Sequence, residues 1–248
     1  MKLRDKVIES LDTLKLTGLK KALILQLESV DKRSFLSRLD DLLSHELIET
    51  GNRRITTLIR QAKLRWPHAS IEDVSYIERD ALKQEYINEL AELHWITNHQ
   101  NLLITGSTGC GKTYIACGIA MRALMQQIPV LFIRYNDLLL QLAAAENEER
   151  IKAYFRKLNR IPVLIIDDWG VSPLNVQQRH LLFEFIECRD QKASLLITSQ
   201  YPVGDWYDAF GDKTVADSVL DRIIHCAHPV NAEGPSMREV LGLKGGQS

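Results

Sequence analysis

The chain of 248 residues has no apolar run near the roughly 20 residues that a membrane-spanning helix requires. Its first residues, MKLRDKVIES, are charged where a secretory signal would be apolar. The expectation is a cytoplasmic protein without a membrane partner. Cysteine is scarce, and Cys110, Cys117, Cys188 and Cys226 form no C-x-x-C pair, which argues against a disulfide framework or a zinc cluster. His225 and His228 make an isolated H-x-x-H with no carboxylate or cysteine at metal-ligand spacing, so they read as structural. Acidic residues are missing between Thr50 and Ile71. Residues 1–70 therefore carry 14 Lys/Arg against 9 Asp/Glu, whereas residues 71–94 carry 2 against 7. The chain changes character near residue 70.

What is present is an ordinary globular composition, 45% hydrophobic and 25% charged, enough for a sizeable core. The most informative stretch is GSTGCGKT, residues 106–113, which meets every fixed position of G-x-x-x-x-G-K-[ST]. Gly106, Gly109 and Gly111 let the backbone turn tightly and aim N–H groups at phosphate oxygens, while Ser107, Thr108 and Cys110 fill positions the pattern leaves variable. Lys112 adds an ammonium for the outer phosphates, and the Thr113 hydroxyl suits Mg²⁺. Asn101–Thr105 reads as a buried strand and Lys112–Gln127 as a helix, the order this loop needs.

Residues 162–168, PVLIIDD, form a second apolar strand ending in Asp167 and Asp168. In a phosphate-loop ATPase the first acid holds Mg²⁺, and the second orients or deprotonates the attacking water. Strands alternate with helices, so the sheet is expected to be parallel, an α/β architecture. A strand over Ala193–Gln200 ends in Thr198, Ser199 and Gln200, polar groups that would lie beside the acids and could sense the terminal phosphate.

Ahead of this core, apolar residues at helical spacing predict a helical module of about 65 residues. Thr17-Gly18 marks a break, Ser34–Glu49 a second helix, and Gly51–Trp66 a third that ends at Pro67. His68–Tyr76 reads as a linker and Ile77–Trp95 as a further helix. Arg53, Arg54, Arg60, Lys63 and Arg65 form a basic face suited to nucleic-acid phosphates, and Lys152, Arg156 and Lys157 form a second. A solvated face pairing with the acidic segment downstream is the plainer alternative.

Taken together, GSTGCGKT, LIIDDWG, LLITSQYPVGDW, VLDRIIH and GPSMRE resemble the IstB-like ATP-binding proteins, helper ATPases of insertion-sequence transposition similar to DnaC and DnaA. The resemblance runs over residues 1–241. It implies a P-loop AAA+ ATPase core with a parallel sheet over residues 71–241 and a small all-helical N-terminal domain over 1–70; GLKGGQS, residues 242–248, reads from its own sequence as a disordered tail. It further implies ATP and Mg²⁺ as cofactors, homo-oligomers assembled on double-stranded DNA, and a transposase partner. Carried over by motif, Lys112, Thr113, Asp167 and Asp168 are the nucleotide and metal residues and Ser199 or Gln200 the first sensor. Arg222 would be an arginine finger for a neighbouring subunit, and Arg238 a second sensor. The competing readings are a replicative helicase loader and, from another class, a small-molecule kinase.

Overall fold

The structure, a computed structural model, describes residues 3–28, 32–77, 79–144 and 148–237. Arg238 and the expected tail over 242–248 lie outside them. The chain divides into two compact units, Met1–Leu58 and Ile59–Ser248. Among the described residues, no helix is long and apolar enough to cross a membrane.

The first unit is built from α1 (Leu3–Thr13), α2 (Thr17–Glu28) and most of α3 (Phe35–Ala62). Gly18 lies within α2 rather than at the break, which falls at residues 14–16. Its lack of a side chain serves packing: a Cβ there would stand 2.5 Å from the His45 carbonyl oxygen and 2.8 Å from Glu49 Cβ. The α2 N-terminus is closed by Glu46 of α3, whose Oε2 accepts the Leu19 N–H at 3.0 Å. That bond satisfies a donor that the helix leaves open and sets a negative charge at its positive end.

The two helices expected over Ser34–Glu49 and Gly51–Trp66 are one. α3 runs through Gly51, whose helical cost of about 1 kcal/mol is small against a helix of this length. It stops at Ala62 rather than at Trp66, because Lys63 takes a left-handed conformation at φ 54°.

The second unit includes a short 3-10 turn, Ile71–Asp73. The segment expected to be a linker is thus packed: Ile71 is buried, and a Cβ on Gly118 would meet Ile71 Cγ2 at 3.1 Å. The helix expected over Ile77–Trp95 is two short ones, α4 (Gln84–Leu90) and α5 (His94–Thr97), separated by the left-handed Leu93.

A parallel five-stranded sheet follows, formed by β1 (Asn101–Thr105), β2 (Val130–Arg134), β3 (Val163–Asp167), β4 (Ser194–Ser199) and β5 (Ala227–Asn231), in the order β2-β3-β4-β1-β5. The inner strands β3 and β4 are buried end to end, β1 is buried up to Thr105, and all three are rich in Leu and Ile, as a sheet covered on both faces demands. The connections are α6 (Lys112–Met125), α7 (Tyr135–Ala143), α8 (Glu148–Asn159), α9 (Val176–Arg189), α10 (Trp206–Phe210) and α11 (Lys213–Ile224). α9 starts where Asn175 and Gln178 exchange a reciprocal capping box.

One aromatic cluster anchors the chain just beyond the acid pair. Trp169 lies 4.9 Å from Tyr135 and 5.7 Å from Trp206, measured between ring centroids. β5 went unforeseen because AHPVN contains a proline and few apolar residues. At the sheet edge, where this strand lies, a residue without an N–H is tolerated.

Candidate nucleotide-binding site

The site lies where β1, β3 and β4 end together. β1 runs into the loop of residues 106–111, and α6 starts at Lys112 with Gly111 as its N-cap. Gly109 and Gly111 have φ of 89° and 91°, left-handed values that a side chain would strain. The loop's concave backbone and the N-terminus of a 14-residue helix together favour an anion. Lys112 is buried, its Nζ donating to the carbonyls of Gly106 and Ser107, both at 2.8 Å.

Strand order brings the acid to the loop. β4 lies between β1 and β3, with Thr105 opposite Ser199 and Ile166 opposite Ile197, so the tips of all three strands are neighbours. Asp167 is fully buried. Its Oδ1 accepts from Thr113 Oγ1 at 2.8 Å and from Thr198 Oγ1 at 2.6 Å. Its Oδ2 is buried without a hydrogen-bond partner and faces Arg65 Nη1 at 3.8 Å.

Burial pushes the Asp167 carboxyl above its ordinary value. The Thr198 and Thr113 hydroxyls oppose this, neighbouring Asp168 adds to it, and Arg65 opposes it. A hydroxyl and a carboxylate with an unused buried oxygen are hard donors of the kind Mg²⁺ takes, so the residues present fit that ion. Asp168 is exposed, in a left-handed conformation at φ 61°, with its N–H on Thr198 Oγ1.

Among the sensor candidates, Gln200 reaches the loop, where its Oε1 accepts from Thr108 Oγ1 at 3.0 Å. Ser199 does not; it is buried and donates to the Trp169 carbonyl at 2.9 Å. The residue of that triplet on the acid itself is Thr198. Arg222 is not brought to the loop of its own chain. It sits near the end of α11, donates to the Ser218 carbonyl and hydroxyl, and lies 5.6 Å from the centre of the Phe183 ring. Backbone carbonyls of Arg222 and Ile223 take the Asn101 side chain, at the strand ends opposite the loop.

The basic candidates separate into two groups. Arg54, Arg60, Lys63, Arg156 and Lys157 are exposed. Arg53 is spent inside its own unit, donating to the Lys15 carbonyl and to Glu46 Oε1 at 2.8 Å. Lys152 pairs with Glu148 one turn earlier on α8. Arg65 leaves the expected basic face for the acid pair.

Sequence reading also missed Arg79, a buried guanidinium that donates to the Cys110 carbonyl of the loop. A further miss is Ser236, whose Oγ would lie 2.6 Å from a Cβ on Gly109. Arg79 stands in an irregular segment with no periodicity to direct it inward.

A phosphate loop closing β1, an acid closing β3 and a threonine between them on a parallel sheet define an α/β nucleotide-binding protein with the AAA+ fold. The chain belongs to the family of IstB-like ATP-binding proteins, whose model matches residues 9–243. An insertion sequence ATP-binding protein of Sinorhizobium fredii is 38% identical over 235 residues, 93% of this chain and 95% of that protein. The IS21 ATP-binding protein of Pseudomonas aeruginosa is 30% identical over 186 residues, 75% of this chain and 70% of that protein. Among solved structures, DnaI superimposes with a TM-score of 0.57 at 20% identity, covering 69% of this chain and 91% of that one. The DnaC helicase loader does so with 0.56 at 20% identity, covering 67% and 98%. At such identities these structures share the fold.

Proposed function

We propose that the protein is an ATPase that assembles on double-stranded DNA in its ATP-bound form and assists an insertion-sequence transposase. The observation that carries the ATPase reading is the bond from Thr113 Oγ1 to Asp167 Oδ1, with Asp167 Oδ2 left over. Loop and acid are already assembled for a metal-bound triphosphate. Relatives named as insertion sequence ATP-binding proteins support the transposition context.

In this reading the loop backbone and Lys112 bind the phosphates, the ammonium exchanging two carbonyls for phosphate oxygens. Thr113 and Asp167 hold Mg²⁺, which when bound neutralises charge on the outer phosphates. Thr198 fixes the Asp167 rotamer through Oδ1 and keeps Oδ2 directed into the site. Asp168, exposed at the strand tip, accepts a proton from the attacking water. Gln200, tied to Thr108, reports on the loop.

Arg222 is directed away from the site of its own chain, so its finger role requires a neighbouring copy. The exposed Arg54, Arg60, Lys63, Arg156 and Lys157 supply the phosphate contacts to DNA. Likeness to the DnaC helicase loader rests on fold, whereas family membership favours the transposition helper.

The test is ATP turnover with and without duplex DNA in the parent, Lys112→Ala and Arg222→Ala. Duplex should raise parental turnover. Lys112→Ala should abolish hydrolysis, and Arg222→Ala should lose the stimulation while its nucleotide affinity stays within about twofold. Turnover indifferent to duplex, or unchanged in Arg222→Ala, contradicts the proposal.

A further inference from the structure

Among the described residues Arg65 is the one cation paired with the free oxygen of Asp167, and sequence pattern had assigned it elsewhere. Its backbone is fixed. Ala62 and Leu64 on either side of Lys63 are buried, and the backbone at Arg65 and Trp66 lies beside buried Cys117 on α6. The Trp66 ring lies 6.4 Å from that of Tyr114, the residue after Thr113. Arg65 is thus tied to the helix that begins with Lys112 and Thr113.

Its guanidinium, by contrast, is uncommitted. At 3.8 Å the pair with Asp167 is longer than a hydrogen bond, the side chain is 35% exposed, and no other acceptor holds it among the described residues. A planar fork with five donors therefore stands unused beside the acid.

We propose that Arg65 is a nucleotide-discriminating residue that binds the terminal phosphate of a nucleoside triphosphate from within its own subunit. The inference rests on the reading of the loop as an ATP site. Thr113 and Asp167 mark the side of such a site where the β- and γ-phosphates meet the metal, so a guanidinium at Asp167 meets the γ-phosphate before it meets base or ribose. A diphosphate lacks that γ-phosphate. The planar fork can give two parallel hydrogen bonds to two phosphate oxygens, a geometry an ammonium lacks, and the Asp167 pair is loose enough to yield. Arg65 also stands three residues beyond Ala62, the last residue of α3, so the chain that reads the phosphate is the chain that leaves the long helix.

The experiment is equilibrium binding of fluorescent ATP and ADP analogues, in magnesium, to the full chain and to Arg65→Ala, Arg65→Lys and Lys112→Ala. Arg65→Ala should weaken the ATP analogue by about tenfold or more and leave the ADP analogue within about twofold, with Arg65→Lys between parent and alanine. Equal losses for both analogues, or no loss for either, would overturn the inference and leave Arg65 a counter-ion of Asp167. Parental affinity for both analogues in Lys112→Ala would overturn the reading of the loop itself, and this inference with it.

Discussion

Thr198 shows how much of the site depends on single atoms. Its hydroxyl donates to Asp167 Oδ1 at 2.6 Å and takes the Asp168 N–H at 3.2 Å, so one side chain orients both acids. Thr198→Val keeps the volume and removes both bonds. Turnover should fall about tenfold, on the scale of one hydrogen bond to a charged group.

The pH profile should move as well. Burial already raises the Asp167 carboxyl and the Thr198 hydroxyl restrains it, so removing the hydroxyl raises it further. The acid limb of the turnover profile should then shift to higher pH. An unshifted limb in an otherwise folded variant would mean that Thr198 does not act through Asp167.

At the level of elements, the contact of α2 with α3 offers two tests of opposite logic. In a free helix Gly18→Ala would stabilise by about 1 kcal/mol. Here the added Cβ meets the His45 carbonyl and Glu46 Cα, so the substitution should lower stability by about 1–3 kcal/mol in chemical denaturation. A stabilised variant would refute the close approach.

Glu46 supplies the second test. The Leu19 N–H holds its carboxyl below the ordinary value, helped by Thr50, the Gly18 backbone and Arg53. A lowered carboxyl contributes stability that is fully present above the ordinary 4.5 and lost as pH falls through the folded value. Glu46→Gln should therefore melt below the parent at neutral pH, and the gap should close on acidification. A gap of constant size would contradict the role given to its charge.

The same elements show what a sequence can disclose. The loop, the Asp167 strand and the helix α6 were legible because motif and 3.6-residue periodicity are local. The continuity of α3 through Gly51 and the strand nature of residues 227–231 were not, since each is decided by packing against distant residues. Arg65 was least legible. Its direction follows from a left-handed Lys63 and from the packing of Trp66 on Tyr114, neither of which leaves a pattern among neighbouring residues.

In the whole molecule the nucleotide site would be coupled to the proposed DNA-bound assembly. ATP can favour that assembly only by binding it more tightly than the free subunit, and Arg222 reaching a neighbour's nucleotide is the proposed source of the difference. The link between nucleotide and DNA can be measured by binding of a labelled duplex and its matching single strand at one fixed salt concentration, with ATP, with ADP and with Lys112→Ala. Tight duplex binding that requires both ATP and Lys112, with weaker binding of the single strand, is expected. Duplex binding indifferent to nucleotide, or a preference for the single strand, would contradict it.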